Sequence, residues 1–362
     1  MNIKQANKLK TTLILQINPI NPEPEKIQIA AQILQKNGLV AFPTETVYGL
    51  GANALNSNTI LKLFKTKNRP MDNPPILHIA DICQVYLLAK EVPKIAEVLM
   101  KKFWPGPLTL IFKHANTIPK ETVANLDTVA IRMPNDNIAL ALIKQSGLPI
   151  AAPSANLSGK PSPTTAQHVY IDLNGKIDAI IDGGPTNIGV ESTVLDLSID
   201  PPLLLRPGAT TFEDIQAILP NVMLHSNIIN SEKNVEIKQA RSPGMLHKHY
   251  APNAEMLLID GAVQDVISKI TTLAEQYRYE GKKIGILATD ETQKVYTNAD
   301  TVKSMGSRLA LNTIANNLFK KLREFNESSV DIILAESVPI DGIGLAIMNR
   351  LQKASNYNII KA

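Results

Sequence analysis

Phe42-Pro43-Thr44-Glu45-Thr46-Val47-Tyr48-Gly49-Leu50-Gly51 is the stretch on which the fold reading turns. Its first residue closes the apolar run 39–42, which reads as a buried strand stopped by Pro43. Beyond that strand come two threonine hydroxyls, a carboxylate, and two glycines that let backbone approach a ligand closely. Taken alone, the pattern fits an ordinary strand-to-helix turn as well as it fits a binding loop. Upstream, residues 27–36 have helical spacing and stop at Asn37-Gly38, a good helix ending.

Downstream, short apolar runs continue to alternate with amphipathic stretches. Residues 60–64 and 138–145 read as helices, as does 92–103, which opens near Pro93. Strands are expected at 76–79, 108–112, 129–133, 149–152, 179–181, 194–197 and 203–205. Strands and helices mixed at this spacing predict an α/β domain over residues 1–220. Residues 221–254 break the pattern with a polar run and with Arg241-Ser242-Pro243-Gly244-Met245 and His249-Tyr250-Ala251-Pro252, and read as a linker. From residue 255 to 362 the style changes again. Strands at 256–259, 284–288 and 330–334 alternate with helices at 263–277, 310–325 and 343–354, which predicts a small, largely parallel, doubly wound domain. No G-x-G-x-x-G opens a helix there, so a dinucleotide site is weakly supported.

Bulk composition narrows the function classes. A length of 362 residues allows two domains, and 44% apolar content allows a sizeable core. The net charge of +4 is too mild to mark a dedicated nucleic-acid binder. A single cysteine, Cys83, rules out an internal disulfide and any site built on several thiolates; after an apolar run it reads as a small packing residue. Absence of a secretion signal and of an apolar run near ~20 residues predicts a cytoplasmic protein with no membrane span.

Seven segments at expected strand ends hold the candidate chemistry. The first is the quoted stretch. In the second, Lys67 and Arg69 stand two apart ahead of Asn73 and His78; in an extended segment both cations would point the same way and could clamp phosphates. The alternative for the pair is a solvated basic turn, and for His78 a satisfied near-core residue. Trp104-Pro105-Gly106-Pro107-Leu108-Thr109 is a rigid lead into a strand and reads as structural. In 127–134, alternation puts Thr128, Ala130 and Arg132 on one face, making Arg132 a candidate carboxylate ligand, or else a solvated arginine on an edge strand. Ala151-Ala152-Pro153-Ser154-Ala155-Asn156 leads to Ser162, Glu191-Ser192-Thr193 follows Gly189, and Leu204-Leu205-Arg206-Pro207-Gly208 ends the set. Together they suggest one pocket assembled from several loops. Walker A, G-x-S-x-G, H-E-x-x-H and paired-cysteine motifs are all absent from the sequence. Residue chemistry therefore points to an anion pocket suited to adenylyl transfer.

In their order P-T-E-T-V-Y-G-L-G, K-x-R-P-x-x-N-P, W-P-G-P-L-T, A-P-S-A-N, S-P-T, E-S-T, L-R-P-G, S-P-G-M and H-Y-A-P, these motifs resemble the threonylcarbamoyl-AMP synthase family in its long form. Gly344-Leu345-Ala346-Ile347-Met348-Asn349-Arg350 resembles that family's C-terminal end. The resemblance implies a YrdC-like twisted mixed sheet with helices, a linker acting as a lid, and a small Rossmann-like domain. It implies condensation of L-threonine, bicarbonate and ATP, with Mg²⁺ arriving on ATP and no protein-held metal. The product would pass to a separate transferase that modifies tRNA, with RNA contact by this chain a further possibility. Thr46, His78, Arg132, Ala152 and Ser192 would surround threonine. Lys67, Arg69, Asn73, Thr128, Ser154, Ser162, Arg206 and Tyr250 would surround ATP, with Lys67 and Arg69 stabilising transition-state charge. Pro75 and Leu246-His247 depart from the family pattern. Two rivals are a double-stranded RNA-binding module and a carbamoyl-transfer maturation enzyme; the mild charge opposes the first and the lone cysteine the second.

Overall fold

The computed structural model describes residues 11–229 and 250–362. Residues 241–249, including Leu246 and His247, therefore lie outside the described residues, as does most of the expected linker.

Two sheets organise the chain. The first has eleven strands in the order Leu13–Gln16, Ala179–Asp182, Val40–Phe42, Gly49–Asn53, Ile150–Ala151, Ile76–His78, Thr128–Arg132, Leu108–Lys113, Thr193–Asp196, Leu203–Arg206 and Met223–Leu224. It mixes parallel pairs, such as Ile76–His78 with Thr128–Arg132, and antiparallel ones, such as Leu108–Lys113 with Thr128–Arg132. Helices cover both faces, so the central strands are buried on both sides. Along Val40–Phe42, Ala41 faces one apolar cluster while Val40 and Phe42 face another, as the two-residue period requires. The helix Pro24–Gln35 has proline in its first turn and buries Ile27, Ala30, Ala31 and Leu34, one face at helical spacing. That face packs with Ile138 and Leu142 of the helix Asn137–Ser146.

The second sheet has five strands, all parallel, in the order Thr301–Ser304, Ile284–Ala288, Ile332–Glu336, Glu255–Asp260 and Ile359–Lys361. The helices Val263–Tyr279, Leu311–Phe325 and Gly344–Ala354 connect its strands. The expected α/β class, a mixed sheet followed by a smaller doubly wound unit, is the observed one. No helix among the described residues is long and apolar enough to cross a membrane.

Four local expectations are corrected. Pro43 to Tyr48 connects two antiparallel neighbours rather than a strand and a helix, because Gly49–Asn53 is itself a strand paired with Val40–Phe42. Glycine hides that strand from propensity, yet packing requires it: a Cβ on Gly51 would lie 2.9 Å from the Phe42 ring. Lys67 and Arg69 do not share an extended segment. Lys67 ends the helix Ser57–Lys67 and Asn68 caps it in the left-handed region at φ 51°. Cys83 is exposed in the short 3₁₀ turn Ile82–Gln84, not packed inside. Arg132 is on an interior strand and buried, not solvated at an edge. The strands Leu13–Gln16, Thr301–Ser304 and Ile359–Lys361 escape the sequence reading; each is a sheet edge, where half-exposed residues give little apolar contrast.

Candidate active site

Strand ends and loops of the first sheet converge on one pocket, which encloses about 540 Å³ including its open mouth. Thr44, Thr46, Val47 and Gly49 come from the opening stretch, Arg69 and His78 from the second segment, and Arg132 from the fourth. Ala152, Pro153, Ser154, Glu191, Ser192, Arg206 and Tyr250 complete the wall. Six of the seven segments thus contribute lining residues, together with Tyr250. The Trp104 segment stays structural, as expected, but supports the site: Gly106 carbonyl accepts from Arg132 Nε at 3.2 Å, and Thr109 and Ser192 hydroxyls lie 2.8 Å apart.

Arg132 is the organising cation on one side. Its Nη1 donates to Thr46 Oγ1 at 2.9 Å, and Glu45 Oε2 lies 2.6 Å from Nη2. That last contact is not aligned as a hydrogen bond, and both atoms are buried without another partner. Glu45 thus anchors one edge of the guanidinium, and the part of Arg132 that lines the pocket is a candidate for a substrate carboxylate. Backbone pairing holds this corner in place, since Ile188 and Gly189 N–H groups donate to the Glu45 and Thr46 carbonyls. His78 sits nearby with Nδ1 3.2 Å from the Ile76 carbonyl and the Phe42 ring edge-on at 6.2 Å. Burial, helped by the Arg132 charge, lowers its pKa to about 3. The ring is therefore neutral at physiological pH, with Nδ1–H donating to Ile76 and Nε2 left as an acceptor.

Two further cations line the same pocket. Arg69 donates from Nε to the Asn73 carbonyl at 2.9 Å and from Nη2 to Asn73 Oδ1 at 2.7 Å. Arg206 donates from Nε to the Ser192 carbonyl at 2.9 Å and from Nη2 to Ser192 Oγ at 3.1 Å. Burial, and for Arg69 the charge of Arg206, lowers these guanidiniums to about 9 and about 10. Two buried cations that repel one another form a site that a polyanion would relieve.

Not every expected residue reaches the pocket. Thr46, His78, Arg132, Ala152 and Ser192 line it, as do Arg69, Ser154, Arg206 and Tyr250. Asn73 and Ser162 stand one layer behind, the first gripping Arg69 and the second donating to Glu191 Oε1 at 2.5 Å. Thr128 does not line the pocket; it lies at the far end of the strand from Arg132, two residues from Ala130, the register partner of the lining residue Ile76. Lys67 is enclosed, and its ammonium donates to the Ser154 and Asn156 carbonyls. The expected clamp of Lys67 beside Arg69 is therefore not formed: helix termination turns Lys67 under the 153–156 loop, and burial lowers its pKa. Glu191 went unassigned in the sequence although it opens the quoted E-S-T motif, and it lines the pocket. Arg350, in the last motif, reaches it from the second sheet's helices.

Among the described residues no group of three or more His, Cys, Asp or Glu could hold a metal ion. The carboxylates at the pocket are committed to arginines, Glu45 to Arg132 and Glu191 to Arg350. The donor set does not fit a protein-held divalent ion.

Comparison with known proteins bears on the whole chain. Residues 32–208 match a family model described as "Telomere recombination", and residues 210–356 match one described as "Threonylcarbamoyl-AMP synthase, C-terminal domain". A threonylcarbamoyl-AMP synthase of Pyrococcus abyssi is 50% identical over 94% of this chain and 96% of its own length. One from Bacillus subtilis is 50% identical over 93% of this chain and 94% of its own. The crystal structure of P. abyssi Sua5 complexed with L-threonine superposes with a TM-score of 0.92 at 49% identity, covering 97% of this chain and 100% of that one. Ordered motifs, two matching family models and near full-length identity agree with the pocket's chemistry, and the chain belongs to the threonylcarbamoyl-AMP synthase family.

Proposed function

We propose that this chain is an ATP-using transferase that makes threonylcarbamoyl-AMP and pyrophosphate from L-threonine, bicarbonate and ATP. The observation that carries the reading is one pocket lined both by Arg132, suited to a carboxylate, and by Arg69 and Arg206, suited to phosphates. A relative with 49% identity has been solved with L-threonine.

In this reading Arg132, with Thr46, takes the threonine carboxylate, while His78, Ala152 and Ser192 bound the rest of the amino acid. The amine attacks the bicarbonate carbon; a C–N bond forms, and the lost oxygen departs as water with an amine proton. The carbamate oxygen then attacks the α-phosphorus of ATP, and the bond to the β-phosphate oxygen breaks with its electrons leaving on pyrophosphate. Arg69, with Asn73 behind it, and Arg206 stabilise the charge that moves onto phosphate oxygens. Ser154, Ser162 and Tyr250 complete the nucleotide side. Lys67 acts indirectly, by fixing the carbonyls of the loop that carries Ser154. Magnesium is carried by the phosphates as part of the nucleotide. Catalysis here is mainly positioning and fixed charge.

We assign the YrdC-like catalytic domain to residues 1–220, the linker or lid to 221–254, and the Rossmann-like C-terminal domain to 255–362. The threonylcarbamoyl-adenylate would serve a separate transferase acting on tRNA adenosine.

The test is pyrophosphate release. It is expected to require threonine and bicarbonate together; release from ATP alone at the same rate would overturn the reading. Binding also predicts stabilisation. Threonine at 100 times its Kd should add about 2.7 kcal/mol to unfolding stability, read as a rise in Tm that alanine does not produce.

Burial of neutral His78 makes a pH prediction. Its folded pKa of about 3 lies below its ordinary 6.5. Its contribution is therefore fully present above pH 6.5 and is lost as pH falls towards 3. The loss approaches about 1.4 kcal/mol per pH unit from this one group. Denaturant unfolding of the wild type between pH 7 and 5 should lose more stability than His78→Gln does; parallel curves would show that the histidine is not held neutral.

A further inference from the structure

Arg350 is absent from every role assigned above, yet among the described residues it is the largest fully buried side chain. It belongs to the helix Gly344–Ala354, on the second sheet, and reaches across to the wall of the pocket. Its Nε donates to Glu191 Oε2 at 2.9 Å, its Nη1 to Asn349 Oδ1 at 2.9 Å, and its guanidinium lies 5.7 Å from the centre of the Tyr250 ring. Tyr250 in turn stacks on Phe319 of the helix Leu311–Phe325, with ring centres 5.1 Å apart.

Glu191 is the point where these contacts meet. Ser162 donates to its other oxygen at 2.5 Å, and Tyr250 hydrogen-bonds it as well. It lines the same pocket as Arg69 and Arg206. A carboxylate there has two possible effects on a nucleotide. Unpaired, it would repel phosphates and draw Arg206 away from them. Neutralised and fixed by a second arginine, it becomes a rigid acceptor that holds Ser162 and Tyr250 in place and leaves the Arg69–Arg206 charge for the ligand. Burial alone would raise the Glu191 pKa, but the Arg350 and Arg206 charges overcome it and hold it at about 2, so the carboxylate is ionised throughout the working range.

The surrounding contact is built for fixed registration. Asn316 Nδ2 donates to the Thr186 and Asn187 carbonyls at 2.8 and 2.9 Å. Gly189, at φ 85°, lies so close to the helix Leu311–Phe325 that a Cβ would sit 2.5 Å from the Ala315 carbonyl oxygen. Arg323 Nη2 donates to Asp172 Oδ2 at 2.9 Å and also to the Pro161 carbonyl, next to Ser162. The second unit therefore grips the chain beside Ser162 and just ahead of Glu191.

From this geometry we infer that Arg350 is a positioning residue for the nucleotide half of the active site, acting through Glu191, and that the second unit is thereby a working part of the catalytic pocket. The inference rests on the synthase reading above and adds a role for the C-terminal unit.

The test uses the full chain. Arg350→Met is expected to raise the ATP KM by about tenfold or more and to lower kcat, while the threonine Kd, measured by calorimetry without ATP, stays within about twofold. Adding Glu191→Gln removes the unpaired carboxylate, so the double variant should regain most of the ATP KM. Simple destabilisation would instead lower the active fraction, cutting kcat with both substrate constants unchanged, and that pattern would overturn the proposal. An ATP KM unmoved by Arg350→Met, or a double variant worse than the product of the two single ones, would overturn it too. Should Arg350→Met fail to fold, Arg350→Lys carries the test, because it keeps the charge and loses the fork. A raised ATP KM with threonine binding intact supports the role, and an unchanged ATP KM rejects it. A wild-type chain without threonine-dependent pyrophosphate release would reject the synthase reading itself, a result distinct from any of these.

Discussion

Arg132→Ala is expected to lower kcat/KM for L-threonine by two to three orders of magnitude, about 3–4 kcal/mol, with the ATP KM nearly unchanged. Two effects add. The substrate carboxylate loses its charged fork, and Glu45, buried at 2.6 Å from the guanidinium, is left without its cation. The second effect also predicts a stability loss, which Glu45→Gln in the same chain should partly reverse while threonine use stays low. Steady-state pyrophosphate release, measured against threonine and then against ATP, separates the two substrates. Equal losses for both would contradict the assignment of Arg132 to the amino acid. Arg132→Lys should rescue little, because a point charge cannot at once meet Gly106, Thr46 and a carboxylate.

The second large effect is at Arg69. Arg69→Met should slow pyrophosphate release by about a hundredfold or more at saturating substrates, because charge develops on the phosphates as the α-phosphorus bond breaks. Thermal stability should fall as well, since the Asn73 and Pro74 carbonyls and Asn73 Oδ1 are buried and lose their donor, so kcat is compared per folded enzyme. Lys67→Met makes a different prediction. It removes the ammonium that bridges the Ser154 and Asn156 carbonyls, and two buried acceptors lose their donor at about 1–3 kcal/mol each. Its main result should be a lowered Tm, with lost activity following from the displaced loop. Comparing Tm and kcat for the two variants tests which of these neighbouring cations faces the chemistry. A normal Tm and a collapsed kcat for Lys67→Met would return it to a direct role.

The coupling between the two units gives the C-terminal part of the chain a physical purpose. Arg350 ends on Glu191 and Arg323 beside Ser162, while Asn316 holds the segment that backs the Arg132 corner. Any separation of the units would expose Glu191 as an unpaired carboxylate among the pocket's arginines. That arrangement ties ATP use to the docked state.

By itself, the sequence determined the α/β class, the succession of a mixed sheet and a parallel one, and most of the pocket wall. Those features are local: apolar runs of strand length, helices with one apolar face, and Gly- or Pro-marked turns at strand ends are legible wherever they fall. Ordered motifs added the family and, with it, threonine. The sequence left Gly49–Asn53 unread as a strand, because glycine has no propensity to show and its place is set by the Phe42 ring against it. Only the tertiary structure decided the fate of the charges. Lys67 and Arg69 look alike two residues apart, but the end of a helix turns one under a loop and the other into the pocket. Thr128 and Arg132 share a strand face, yet only Arg132 lines the pocket. Glu191 and Arg350 are 159 residues apart, and nothing local in either pairs them. The three-dimensional packing of the two sheets brings them together, and burial then makes each the other's necessary partner.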